Sequence, residues 1–455
     1  MKKLCLVLFA FTNISYALPL NITPAYPLPT GIIPGNPVFA AYTVENNTHK
    51  QLNNLLVNPP NNVSINTTGC GATFNLASGS SCTLSLKITG TVNAQDSDVN
   101  NHLFVCLPGR KTCIGTNQPL NVQELKTPAY IYAGSTASSG LLSQCFIDPE
   151  TGFVAGSLPI NPSVTTTCPS TGTGVTFTSP QWIAFTASGQ QVYITDADAS
   201  TIWLCNVNTE TAQFTNCQNS TASGFTAPAG IALNTAGTQA YVADATKNQV
   251  FLCNVNIYTG ILSGCADSGA GAIFSEPGGI AITPDNATAF IANRSSTTIS
   301  GCSINASTGQ LSSCSTTGGF VEAFDLVIAP AGVAQGTLVY VTDNATLKIK
   351  VCTISGNTLN CSTVNSYTFN TGTNLYDNYS FNSPKGITLA ISKAKNATSQ
   401  IATVYVANST LGSAGIAVCN YCQTNCPNSS SAGALICTNA NISQINNIVG
   451  IALLD

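Results

Sequence analysis

Along most of this chain, short apolar segments alternate with turn residues, and from residue 130 onward the alternation becomes a repeat. A β-branched or aromatic run ending in Asp, Asn or Gly appears as YIYAG at Tyr130, YITD at Tyr193 and YVAD at Tyr241, then as FIAN at Phe290, YVTD at Tyr340 and YVAN at Tyr405. A second apolar element precedes each of the last five: FTSPQWIAF at Phe177, FTAPAGIAL at Phe225, FSEPGGIAI at Phe274, FVEAFDLVI at Phe320 and FNSPKGITL at Phe381. A further copy, INNIVGIALLD, begins at Ile445 and closes the chain. The equivalent positions Ile183, Ile231, Ile280 and Leu326 are 48, 49 and 46 residues apart, and the next two intervals stretch to 61 and 64.

Segments of this length, rich in β-branched residues and bounded by Gly, Pro and Asn, read as strands. Two cysteine-bearing segments follow in each unit, which makes four strands in roughly 45 residues, the period of a β-propeller blade. The fold class expected is therefore all-β. The first unit lacks the Gly-Ile-Ala element and the C-terminus has one to spare, so pairing them closes a ring of six blades over 128–455 without open sheet edges. Five blades would follow if the long first unit were degenerate, and seven if an insert hid a blade.

The cysteines sharpen this picture. Cys205 and Cys217, Cys253 and Cys265, and Cys302 and Cys314 repeat one spacing of twelve. Placed on the third and fourth strands, they face each other across a hairpin, where Cα atoms about 4.5 to 5.5 Å apart suit a disulfide. The same logic pairs Cys145 with Cys168, Cys352 with Cys361, and Cys419 with Cys437. Cys422 and Cys426 pair in the last unit, as one of nine disulfides expected in all. The spacing of Cys419, Cys422, Cys426 and Cys437 also suits zinc, but oxidation is favoured in an exported chain.

Export is expected from the first residues: Lys2 and Lys3, an apolar run from Leu4 to Phe11, and Ser15-Tyr16-Ala17 form a signal peptide over 1–17. Cleavage there removes Cys5 and leaves an even 18 of the 19 cysteines. The mature chain is expected in the periplasm, at the cell surface or outside the cell. No later stretch is apolar enough for a membrane span.

Residues 18–127 follow another pattern. A Pro-rich lead gives way to short alternating segments that suit a small β-sandwich, with Cys70 and Cys82, and Cys106 and Cys113, as disulfide pairs. The stretch LASGSSCTLSLKITG, 76–90, resembles the Ig-like repeats of bacterial surface proteins, which implies a spacer or adhesion module.

Charge excludes one class of partner. The formal net charge is −4 and only 7% of residues are charged, with no basic cluster to neutralise phosphates, so nucleic acid is not expected. Fifteen Asn-x-Ser/Thr sequons follow the signal, a number close to chance in a chain this rich in those residues.

Tyr-Val-x-Asp/Asn with Gly-Ile-Ala resembles the YVTN-type, lactonase-like propeller repeats of exported bacterial proteins, over about 128–455. The resemblance implies the fold. Enzymes of related propellers use His, Arg or clustered carboxylates. Here the only histidines, His49 and His102, precede the repeats, and the propeller has one arginine, Arg294. No catalytic residue carries over, and no motif asks for a cofactor.

Two sets of residues are candidates for binding. The strand-end residues Asp196, Asp244, Asn293, Asp343 and Asn408 form a ring on one face, suited to a cation or sugar hydroxyls, or else each caps its own turn, as Asx side chains do. Breaks in the repeat are the second set. Trp182 and Asp325 stand where other units have Gly, and Phe324 and Lys385 replace small neighbours. Trp182 offers an apolar platform, and Asp325 and Lys385 offer polar contacts; packing is the competing role for Trp182, Phe324 and Trp203. Glu276 and Glu322 flank the same loops. The reading is a non-catalytic binding or scaffold protein that presents a propeller face to a protein, peptide or glycan. The alternative is a carboxylate-based hydrolase or lyase, with Ca²⁺ as its possible metal.

Overall fold

The computed structural model describes residues 18–26, 28, 31–32, 38–90, 92–93, 103–110, 112–124, 130–136, 140–147, 154–155, 166–172, 174–208, 211–269, 274–329, 338–370, 375–393, 400–409, 415–422, 434–440, 442–443 and 448–454. The leader, His102 and Cys426 lie outside them, and with Cys426 the expected ninth disulfide. Two compact units divide the chain at Glu124 and Leu125.

In the first unit, strands Leu20–Pro24, Val38–Asn46, Ser81–Ile88 and Val63–Gly69 form one antiparallel sheet. Cys113–Gly115, Phe104–Cys106, Leu52–Asn58 and Thr73–Leu76 form a second. Alternate residues of both, Ile22, Tyr42, Val44 and Leu84 from the first and Leu55, Val57, Leu76 and Val105 from the second, share one core. That is the packing that period-2 patterning demands. Disulfides Cys70–Cys82 and Cys106–Cys113 pin this unit.

The second unit is a β-propeller. Its sheets are named here blades 1 to 6 in chain order. Blade 1 pairs Tyr130–Ser135 with Leu142–Ile147 and then Val154–Ala155, and takes its inner strand, Ile448–Leu454, from the C-terminus. Blades 2 to 5 begin at Pro180–Phe185, Pro228–Leu233, Pro277–Ile282 and Ala323–Ile328, each followed outward by the next three strands in order. Blade 6 begins at Pro384–Lys393 and carries two extra outer strands, Ser366–Asn370 and Leu375–Asn378, which account for one of the long repeat intervals. The inner strands neighbour one another in sequence around a circuit, and blade 6 meets Ile448–Leu454. Among the described residues no helix is long and apolar enough to cross a membrane.

Two devices hold the blades. In blades 2 to 6 the third and fourth strands are bridged, at Cys205–Cys217, Cys253–Cys265, Cys302–Cys314, Cys352–Cys361 and Cys419–Cys437, whereas in blade 1 Cys145 of the third strand is bridged to Cys168, which follows the fourth strand in the chain. In blades 2 to 6 the bridges span Cα atoms 4.0 to 4.1 Å apart, closer than the separation expected, whether a bulge interrupts the register at the first cysteine, as in blades 2 to 4, or the two cysteines pair directly, as in blades 5 and 6. The second device is the repeated tyrosine. Tyr132, Tyr193 and Tyr241 are buried, and each donates its hydroxyl to a hairpin carbonyl of the next blade, at Ala212, Gly260 and Gly309. Gly260 and Gly309 adopt φ of +72° and +78° there, and a Cβ on either would strike Gln191 or Gln239.

Candidate functional site

In blades 2 to 6 the second strand ends beside the loop that enters the first, and a side-chain oxygen bridges them. Asp196 accepts Thr178 N–H at 2.9 Å and Ser179 N–H at 2.7 Å. Asp244 accepts Thr226 N–H at 2.6 Å, Ala227 N–H at 3.2 Å and Lys247 N–H at 3.0 Å. Asp343 accepts Val321 N–H at 3.2 Å and Glu322 N–H at 3.0 Å. All three are 0% exposed. The expected open ring of ligand-binding carboxylates is therefore corrected: Asp196, Asp244 and Asp343 cap the protein's own amides, which would otherwise be buried without acceptors.

Asparagine does the same work with half the acceptors. Asn293 Oδ1 accepts Ser275 N–H at 3.2 Å, and its amide donates to Ser300 Oγ at 2.9 Å. Asn408 Oδ1 accepts Asn382 N–H at 3.3 Å, and its amide donates to the Tyr379 hydroxyl at 3.2 Å. The neighbouring groups complement each choice. Beside the carboxylates stand donors, Trp203 Nε1 on Asp196 at 3.2 Å and Lys350 Nζ 3.6 Å from Asp343. Beside the amides stand hydroxyl acceptors. Trp203, expected only to pack, is thus part of a cap.

The breaks in the repeat converge on the channel axis. Trp182 of blade 2 and Phe324 of blade 5, from opposite sides of the circuit, stack with ring centroids 5.8 Å apart and planes 15° from parallel. They are 5% and 6% exposed, so Trp182 is a plug and not the open platform expected. Arg294 covers the stack, its guanidinium carbon 5.8 Å from the Trp182 centroid and 5.2 Å from that of Phe324, and Lys385 Nζ lies 5.6 Å from Phe324. Blade 4 makes room with two glycines: a Cβ on Gly278 would meet Arg294 Cδ at 2.9 Å, and one on Gly279 would meet Asp325 Oδ1 at 1.9 Å.

Asp325 is buried beneath this cover. Its Oδ2 accepts Ile387 N–H of blade 6 at 3.0 Å and its Oδ1 accepts Leu326 N–H at 2.8 Å. Burial pushes its pKa up to about 7, against the pull of those bonds, the nearby Trp182 indole and Arg294. The indole N–H lies near enough to favour the ionised carboxylate but makes no well-formed hydrogen bond. Burial also lowers the pKa of Arg294, opposed by Glu276, Glu322 and Asp325, and that of half-buried Lys385, opposed by Glu322. Glu322 is held by Asn344 Nδ2 at 2.8 Å. Glu276 Oε1 lies 3.7 Å from Arg294 Nη2.

Arg294 is the site residue that the sequence reading passed over. It occupies the position after the strand-end residue, where other blades have Ala197, Ala245, Asn344 and Ser409, so the test that singled out Trp182 and Asp325 would have found it.

Comparison with known proteins bears on the fold. Residues 166–323 match the model of a family described as Lactonase, 7-bladed beta-propeller. That description counts seven blades, whereas the described residues of the second unit form six sheets of four or more strands and one two-stranded sheet, Thr166–Thr167 with Ile442–Ser443. No curated protein matches the chain. Among solved structures, the periplasmic gluconolactonase of Pseudomonas aeruginosa is 12% identical, with 80% of this chain and 98% of that one covered and a TM-score of 0.45. A protein from Lactobacillus plantarum is 15% identical, covering 80% and 98%, with a TM-score of 0.42. An auxiliary nutrient binding protein from Bacteroides ovatus is 11% identical, covering 86% and 95%, with a TM-score of 0.39.

Proposed function

We propose that this is an exported binding protein: a six-bladed ring, closed by its C-terminal strand, that presents the face carrying the Asx caps to a glycan or protein, with an Ig-like N-terminal unit as spacer. The eight disulfides among the described residues suit an oxidising compartment. The observation that carries the reading is where the carboxylates are spent. Asp196, Asp244, Asp343 and Asp325 direct their oxygens at backbone N–H groups and are at most 4% exposed. A carboxylate buried in this way lacks the access to ligate calcium or to meet a substrate. What remains on the face is a rigid polar surface around Glu276, Glu322 and Lys385.

A second reading, a lactonase-type hydrolase, is favoured by the family match over 166–323. It would have to use Glu276 or Glu322 as base. One preparation of the intact protein decides between them. On arrays of glycans and extracellular proteins, binding is expected, and the paired charge reversal Glu322→Lys with Lys385→Glu weakens it. Hydrolysis of aldonolactones in a pH-stat stays at the uncatalysed rate, and calcium or chelator leaves Tm unchanged. Acceleration of lactone opening that Glu276→Gln or Glu322→Gln abolishes would overturn the binding reading, as would the absence of any bound partner.

A further inference from the structure

The difference between Asp and Asn caps has a consequence in one place. In blades 2, 3 and 5 the carboxylate takes two consecutive loop amides, the second from Ser179, Ala227 or Glu322. Blade 4 has Asn293, whose single carbonyl oxygen takes Ser275 N–H. The next amide, that of Glu276, instead donates to Asn248 Oδ1 of blade 3 at 2.6 Å. To turn it that way Glu276 adopts a left-handed φ of +49°, unusual for a residue with a side chain. Ser383, the equivalent residue ahead of Asn408, also has a positive φ, +54°. At the junction of blades 2 and 3, by contrast, Ser200 Oγ bonds directly to Thr226 O at 2.6 Å and draws the two loops together.

Between blades 3 and 4 the rotated loop leaves a cleft of about 390 Å³, lined by Ala245, Thr246, Asn248, Ser275, Glu276 and Ser295. Its volume falls in the ~300–1,000 Å³ range of small-molecule sites. Three hydroxyls, one amide and one carboxylate face it, and there is no aromatic ring. The Glu276 carboxylate is 48% exposed, accepts a hydrogen bond from Ser295 Oγ, and is balanced from behind by Arg294 at 3.7 Å.

We propose that this cleft binds a neutral saccharide unit. A half-exposed carboxylate already oriented by a serine is a ready acceptor for vicinal hydroxyls, and the hydroxyl and amide groups beside it can donate and accept with the same ligand. Glu276 disfavours anions such as sugar acids, and the Arg294 charge behind it removes the net attraction that a cation would need. Hydroxyl-rich, uncharged ligands satisfy both conditions. The proposal rests on the binding-protein reading and gives it a place and a ligand class.

The test is calorimetric titration of the intact protein with glucose, galactose, mannose, N-acetylglucosamine, maltose and cellobiose, with gluconate as the anionic comparator. At least one neutral sugar is expected to bind, and gluconate is not. Glu276→Gln, which keeps the shape, should weaken binding by at least tenfold. Asn293→Asp restores the carboxylate that holds both loop amides in blades 2, 3 and 5, which draws the Glu276 amide back and closes the cleft, so it should abolish binding while Tm holds or rises. Should Asn293→Asp misfold, Glu276→Gln decides alone. No neutral sugar bound by the wild type, or wild-type affinity in Glu276→Gln, overturns the proposal. Array binding that Glu276→Gln leaves intact sinks the cleft but spares the wider reading, whereas an empty array removes both.

Discussion

Blades 3 and 4 are neighbours with the same strand order and the same twelve-residue disulfide, yet they differ in one atom of the cap. Asp244 brings two oxygens and gathers Thr226, Ala227 and Lys247 amides onto them. Asn293 brings one oxygen and one amino group, so it keeps Ser275, donates to Ser300 and releases Glu276 to the adjacent blade. The lesson is that the charge of the acceptor goes with backbone direction in this fold: in blade 5 a single oxygen, Asp343 Oδ1, takes both loop amides, so what Asn293 lacks is the carboxylate and not merely a second oxygen. A loop amide goes where a lone pair is available, because leaving it buried and unpaired costs about 1–3 kcal/mol.

The hardest blow to this comparison would come from alanine at the two caps. Asp244→Ala strands three amides at a fully buried position and should cost roughly 3 kcal/mol or more in urea denaturation, whereas Asn293→Ala should cost about 1–2 kcal/mol. Equal losses would mean that the capping side chain is not what separates the blades.

Removing the disulfides tests whether the staples contribute to that difference. Cys253→Ser with Cys265→Ser, and Cys302→Ser with Cys314→Ser, open hairpins of the same separation of 12. Each pair should cost roughly 3 kcal/mol by loop entropy. The two values should agree to within about 1 kcal/mol by unfolding under non-reducing conditions.

A smaller effect is expected from Asp244→Asn, which withdraws one oxygen from blade 3. About 1 kcal/mol should be lost, and amide exchange at Ala227 should quicken while that at Thr226 stays slow.

The axis gives a contrast in pH. Asp325 also accepts two amides, but in a site so dry that its pKa is pushed up to about 7, above the ordinary carboxylate value of about 3.9. The native state therefore holds a proton that the unfolded chain has already released. This group's contribution is fully present below about pH 4 and is lost as pH rises through about 7. Wild-type Tm should fall between pH 5 and pH 8 more steeply than that of Asp325→Ala, and parallel slopes would remove Asp325 as the cause.

Much of this was legible in the chain and some was not, for identifiable reasons. The repeat showed the strands and the cysteine spacing showed the hairpins, because both depend on local periodicity. The recurring Asp or Asn was visible as a cap of its own turn, but the entering-loop amides that the aspartates accept lie 17 to 22 residues earlier in the chain, a pairing that local Asx chemistry does not show. The stack of Trp182 on Phe324 was hidden because it joins residues on opposite sides of a ring, and periodicity says nothing about what meets across an axis. The release of Glu276 was hidden because it depends on the direction of one N–H, which appears only when the loop is built.

The most direct measurement is a crystal structure of Asn293→Asp beside that of the wild type. The account predicts that the introduced carboxylate accepts both the Ser275 and Glu276 amides, that Glu276 returns to negative φ, and that its bond to Asn248 is broken. A Glu276 that keeps its left-handed backbone and its hold on Asn248 would contradict the claim that the cap directs the loop.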